Sequence, residues 1–175
     1  SDLVTPSRAL FFQAPKESDV QVKISDSSGQ REILWQQENV PAVEVQSDAP
    51  AWYNPNRILS VSEFATWSDV VAWAQPLYDQ AAVVDPSVQQ LADQLAAGKD
   101  PAGKVVAALH FVQQEIRYLG MEDGIGSHRP RHAADTLYRR YGDCNDKTAL
   151  LMALLRAMGL TPTAALVSLE QGESL

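Results

Sequence analysis

The sequence predicts an α+β chain, with a β-rich N-terminal segment followed by a mainly helical one. Three observations carry this. Short runs rich in β-branched and aromatic residues fill the first third, apolar residues beyond Ser60 recur at helical spacing, and two helix starts of the form acid-then-proline lie in that second part.

In the first third, RALFFQAP, DVQVKIS and REILWQQ read as strands. The turn-forming DSSGQ between the last two predicts a β-hairpin from Val20 to Trp35. Residues 39–56, NVPAVEVQSDAPAWYNPN, are Pro-rich and without period, which suits an extended crossing. The boundary between domains is expected near Ser60, giving segments 1–60 and 61–175.

Beyond it, Trp67, Val70, Val71, Ala74, Leu77, Tyr78 and Ala81 form one helical stripe, with Thr66 and Asp69 as a capping pair and Pro76 as the site of a kink. A second helix starts at Asp85-Pro86, presents Val88, Leu91, Ala92 and Leu95, and ends at Gly98. A third starts at Asp100-Pro101 and presents Val105, Leu109, Val112 and Ile116. A short fourth follows Pro130 and carries Ala133, Leu137 and Tyr138. The fifth runs from Cys144 to about Met158 and is apolar nearly all round, as in a buried helix. Gly159 closes it, Pro162 prevents its resumption, and TAALVSL reads as a strand.

At 45% hydrophobic and 21% charged, the composition is that of a globular chain, and a formal net charge of -8 argues against a general nucleic-acid binder. The longest apolar run, from Ala149 to Leu155, stops at Arg156, far short of the roughly 20 residues of a membrane helix, so no membrane insertion is expected. The first residues lack the basic start and apolar core of a secretion signal. One cysteine allows no internal disulfide.

That cysteine lies in RRYGDCNDKTALLMALLRAMG. A lone Cys is commonly a small buried hydrophobe. Here its position matters, because Asp143 is a good N-cap, so that Cys144 opens the helix and Asp146 stands third, where an acid can return a bond to the cap. The helix end favours a negative sulfur, as Lys147 would if it turned back, whereas Asp143 and Asp146 oppose it. A helix end contributes only about 0.3 to 1 kcal/mol, so full activation needs a His partner. Gly142 either lets a substrate backbone approach or is an ordinary turn glycine.

YGDCNDKTALLMALLRAMGL resembles the nucleophile motif of the transglutaminase-like superfamily, in the bacterial branch where a β-rich domain of unassigned function precedes the transglutaminase-like domain. IRYLG at 116 to 120, the P-x-x-A element from Pro130 to Ala133 with Leu137, and the entry helix SVSEFATWSDVVAWAQPLY extend the resemblance over most of residues 60 to 169. NVPAVEVQSDAP is similar to the closing segment of the β-rich domain.

The resemblance implies the helical N-terminal half of a papain-like, transglutaminase-like domain, with Cys144 as nucleophile. It further implies a His and an Asp on later strands, an acyl-transfer reaction on a protein or peptide, and export to the bacterial cell envelope or periplasm. No His follows Cys144, and Asn145 stands where relatives often carry Lys. The chain is therefore expected to stop before its His and Asp strands and to be inactive by itself.

Tyr118 and Gly142 are candidates for the oxyanion region or cleft, and Asp143 and Asp146 for cap support, although Tyr118 also fits boundary packing. His110 is expected on an exposed helix face. His128 and His132 have i, i+4 spacing, but Pro130 between them breaks a helix, so SHRPRH reads as a solvated basic loop at the rim of the cleft. The three histidines and one cysteine lack zinc spacing, and no metal or other cofactor is expected. A catalytically inactive peptide-binding module of the same fold is the alternative to an enzyme.

Overall fold

The computed structural model describes residues 2–6, 10–13, 21–40, 42, 43, 48, 60–120 and 128–167. It contains two compact units, Ser1–Asp69 with Val167–Leu175, and Val70–Leu166.

The first unit is β-structure. Strands β1 (Asp2–Pro6), β3 (Gln21–Ser27) and β4 (Gln30–Gln36) form an antiparallel sheet in the order β1-β4-β3, and β2 (Phe11–Gln13) pairs antiparallel with β5 (Ser60–Ser62). Ser27 faces Gln30, so the hairpin turns through Ser28 and Gly29 alone, both at positive φ (54 and 76). A two-residue turn of this hand matches the twist of the strands it joins. Central strand β4 buries Ile33, while Arg31 reaches across to Asp26 through two bonds of 2.8 and 2.9 Å. The DSSGQ signal thus marks the hairpin.

Strand β1 is absent from the sequence expectations, because DLVTP is too short to show an alternation, and β5 takes the SVS that opens the expected entry helix, which starts only at Trp67. Of RALFFQAP, Arg8, Ala9, Ala14 and Pro15 lie outside the described residues, as does Val20 of the hairpin. Most of the crossing at residues 39–56 also lies outside them, and its described positions carry no helix or strand.

The second unit is built around α5 (Cys144–Ala157), which packs on α2 (Pro86–Ala96), α3 (Pro101–Glu115) and α4 (Ala133–Arg139). Asp85 and Asp100 cap α2 and α3 by accepting from the N–H of Val88 and Gly103, each at 2.8 Å, with proline in the first turn. α1 (Trp67–Ala81) starts with a reciprocal box between Thr66 and Asp69, and its helix continues through Pro76. Gly159, at φ 81, ends α5, with Leu160 N–H returning to Leu155 O at 2.9 Å.

Leu150, Ala153 and Leu154 of α5 are fully buried against Val88, Ala92, Ala108, Val112 and Ile116. Arg156 fixes the far end of α5 to α1 through Asp79 at 2.6 Å.

The apolar stripes are narrower than their spacing predicts. On α3, Val105 and Leu109 are exposed, and the packed face centres on Ala108 and Val112, because a small residue lets a neighbouring backbone approach while larger ones flank it. On α1, Ala74, Tyr78 and Ala81 are buried, whereas Trp67 and Val71 face solvent. Tyr138 is 90% exposed on α4, a helix too short to bury more than one edge. Residues 163–167 of the expected strand TAALVSL carry no regular structure, since no described segment offers them a ladder, and its last two residues lie outside those described.

Candidate active site around Cys144

A two-stranded parallel ladder leads into the site. β6 (Arg117–Tyr118), leaving α3 through the buried Ile116, pairs with β7 (Tyr141–Gly142), and the register sets Tyr118 beside Gly142. Leu119 N–H donates to Gly142 O at 3.0 Å, and Arg117 N–H to Arg140 O at 2.9 Å. Arg140 makes the turn between α4 and β7 in the left-handed region, at φ 60. The ladder therefore delivers the chain to Asp143 in extended form, and α5 starts one residue later.

The cap is complete. Asp143 accepts from Asp146 N–H at 2.9 Å, and Asp146 Oδ2 accepts from Asp143 N–H at 3.4 Å. Cys144 is the first residue of α5 and is exposed. Its N–H has no acceptor among the described residues. Its thiol lies 4.0 Å from Asn145 Oδ1, which also accepts the Tyr78 hydroxyl at 2.7 Å.

Burial raises the Tyr78 phenol above its ordinary value, and negative charge at Cys144, Asp143 and Asp146 pushes it in the same direction. A buried phenol with one hydrogen bond thus sits in the electrostatic neighbourhood of the thiol. Sequence periodicity assigns Tyr78 only to the helix stripe; the i+4 pattern carries no signal for its hydroxyl.

Asp146 joins three pieces of chain. Only 2% exposed, it accepts from Arg131 N–H at 2.8 Å through Oδ1 and from Arg131 Nη1 at 2.7 Å through Oδ2, besides its role in the cap. Arg131, placed by sequence in a solvated basic loop, is thereby half-buried, and the adjacent Pro130 is buried. The missing side chain of Gly142 serves this carboxylate, since a Cβ there would stand 2.6 Å from Asp146 Cβ. The clearance at Gly142 is filled from inside the protein.

Lys147 donates to Ile116 O at 2.7 Å, at the C-terminus of α3. Tyr118 is 57% exposed. His110, His128 and His132 are exposed, and His128 meets the edge of Trp73 with ring centroids 5.5 Å apart. Among the described residues, no three His, Cys, Asp or Glu side chains gather as a metal site would require, and no helix is long and apolar enough to cross a membrane.

An extended lead-in and a capped helix thus present an exposed thiol on the helix's first residue. Residues 89–166 match the family model of the transglutaminase-like superfamily. Over that segment the chain is similar to the transglutaminase-like superfamily. The crystal structure of a "putative protease" from Parabacteroides distasonis has the same fold, with a TM-score of 0.76 at 17% identity. That match covers 91% of this chain and 32% of the other, so the chain spans about a third of that protein's length. No curated protein matches the chain. The matched segment takes in all of α3, α4 and α5, with Cys144 and Asp146 inside it, while Tyr78 reaches the site from α1, outside the matched range.

Proposed function

We propose that this chain is part of a cysteine acyl-transfer enzyme of the transglutaminase-like type. The single observation that carries the reading is the exposed Cys144 on the first residue of a fully capped helix. In this reading the Cys144 thiolate attacks an amide carbonyl, and the Cys144 N–H donates to the oxyanion that forms. A His moves the proton to the leaving amine and an Asp orients that His, as the resemblance to the superfamily implies. The thioester then passes to water or to an amine. The description of the structural neighbour as a protease supports water as acceptor and a peptide as substrate.

A second reading, a peptide-binding module without catalysis, is favoured by the immediate surroundings of the thiol. Lys147, the nearest basic residue in sequence, is held at Ile116, and the neighbour of the sulfur is the neutral Asn145. In this reading the cleft around Tyr118 and Cys144 holds a peptide without cleaving it.

Hydrolysis of a peptide library by the full natural protein and by its Cys144→Ala form separates the two. The enzyme reading expects cleavage that the substitution abolishes. Peptide binding without cleavage, equal in both forms, favours the module.

A further inference from the structure

A cavity of about 370 Å³ opens between α1, residues 129–132 and α4, and Cys144 does not line it. Leu77 and the buried Pro130 give it an apolar part, and Arg129, Arg131 and Arg139 a basic one, with Asp135 as the single carboxylate. Arg131 is committed to Asp146. That leaves two guanidinium groups against one carboxylate, and neither Arg129 nor Arg139 has an acidic partner among the described residues. In a chain where 22 acidic residues face 14 basic ones, this wall inverts the overall charge.

We propose that this cavity is a binding site for a small organic monoanion, a carboxylate carried on a short apolar group. Each unpaired guanidinium presents a planar fork of donors that matches the two oxygens of a carboxylate. Leu77 and Pro130 supply the surface against which an aliphatic group loses its contact with water. The volume is at the lower end of the range for small-molecule sites and suits a ligand the size of an acylated amino acid. Asp135 weighs against a dianion, because each added negative charge meets its repulsion. The site is separate from the thiol and needs no chemistry there.

Titration calorimetry on the 175-residue chain with N-acetyl-leucine, N-acetyl-leucinamide and inorganic phosphate tests this. The acid is expected to bind saturably at one site, and the amide and phosphate more weakly. Arg129→Gln and Arg139→Gln are each expected to weaken the acid by about tenfold or more, the loss of a charge-assisted bond. Cys144→Ala is expected to bind it as the parent does. Absence of saturable binding by the acid overturns the proposal, as does an amide or phosphate that binds equally well. Full affinity in both arginine variants overturns it too. The three ligands on the parent chain decide the matter even if a variant does not fold.

Discussion

The hydroxyl of Tyr78, on α1, donates to Asn145 Oδ1 at 2.7 Å, tying the residue after the cysteine to a helix 67 positions earlier in the chain. Tyr78 is 8% exposed, so its ring is packed and its hydroxyl has little access to water. Tyr78→Phe keeps the packing and removes the donor. It is expected to cost about 1 kcal/mol, the net worth of one such bond, read as a lower midpoint in urea unfolding at unchanged slope. An unchanged midpoint would show that the bond carries no net stability.

The same phenol gives a pH dependence. Its folded pKa lies above the ordinary tyrosine value of 10.0, chiefly through burial and then through the charges at Cys144, Asp143 and Asp146. Below 10.0 the phenol is neutral in both states, and its contribution is fully present. As the pH rises above 10.0 the unfolded chain loses this proton first, so stability falls until the folded phenol ionises as well. Unfolding midpoints measured against pH are expected to decline more steeply above 10.0 in the parent than in Tyr78→Phe. Parallel curves would contradict the assignment.

Asp146 holds α5, the Arg131 segment and the turn at Gly142 together. Asp146→Ala leaves Arg131 without its partner and opens the cap. Because the Arg131 side chain is 32% exposed and can turn to water, the expected loss is about 3 kcal/mol, the lower end for a broken buried pair. Thermal unfolding checks it, and a loss below about 1 kcal/mol, the worth of a cap alone, would contradict the role given to Arg131.

Gly142→Ala sets a methyl group 2.6 Å from Asp146 Cβ, a distance that forces one of the two to move. The expected cost is about 1 to 3 kcal/mol from overpacking. Asp146→Gly is expected to relieve part of it, so a double-mutant cycle should show coupling between the sites. Strict additivity would place the strain elsewhere.

Much of this architecture is legible in the sequence where one residue type has one strong local consequence. Acid-then-proline marks the starts of α2 and α3, DSSGQ marks the hairpin, and Gly-Asp-Cys marks the entrance of α5. What escapes depends on partners far along the chain. Periodicity ranks Val105 and Leu109 with Val112, but which side of α3 faces α5 is decided by the small Ala108. Arg131 reads as a loop cation because its partner lies 15 residues on, and Tyr78 reads as packing because its hydroxyl meets Asn145 only in the folded chain. A clearance at Gly142 is visible in sequence; that Asp146 fills it is not.

In the proposed reaction Cys144 carries the acyl group. The direct measurement is peptide mapping by mass spectrometry of the full natural protein, quenched in acid during turnover of a peptide substrate. An acyl adduct on Cys144 is expected, removed by hydroxylamine as a thioester should be and missing from Cys144→Ala. Turnover with no adduct on Cys144, or turnover that survives Cys144→Ala, would contradict it.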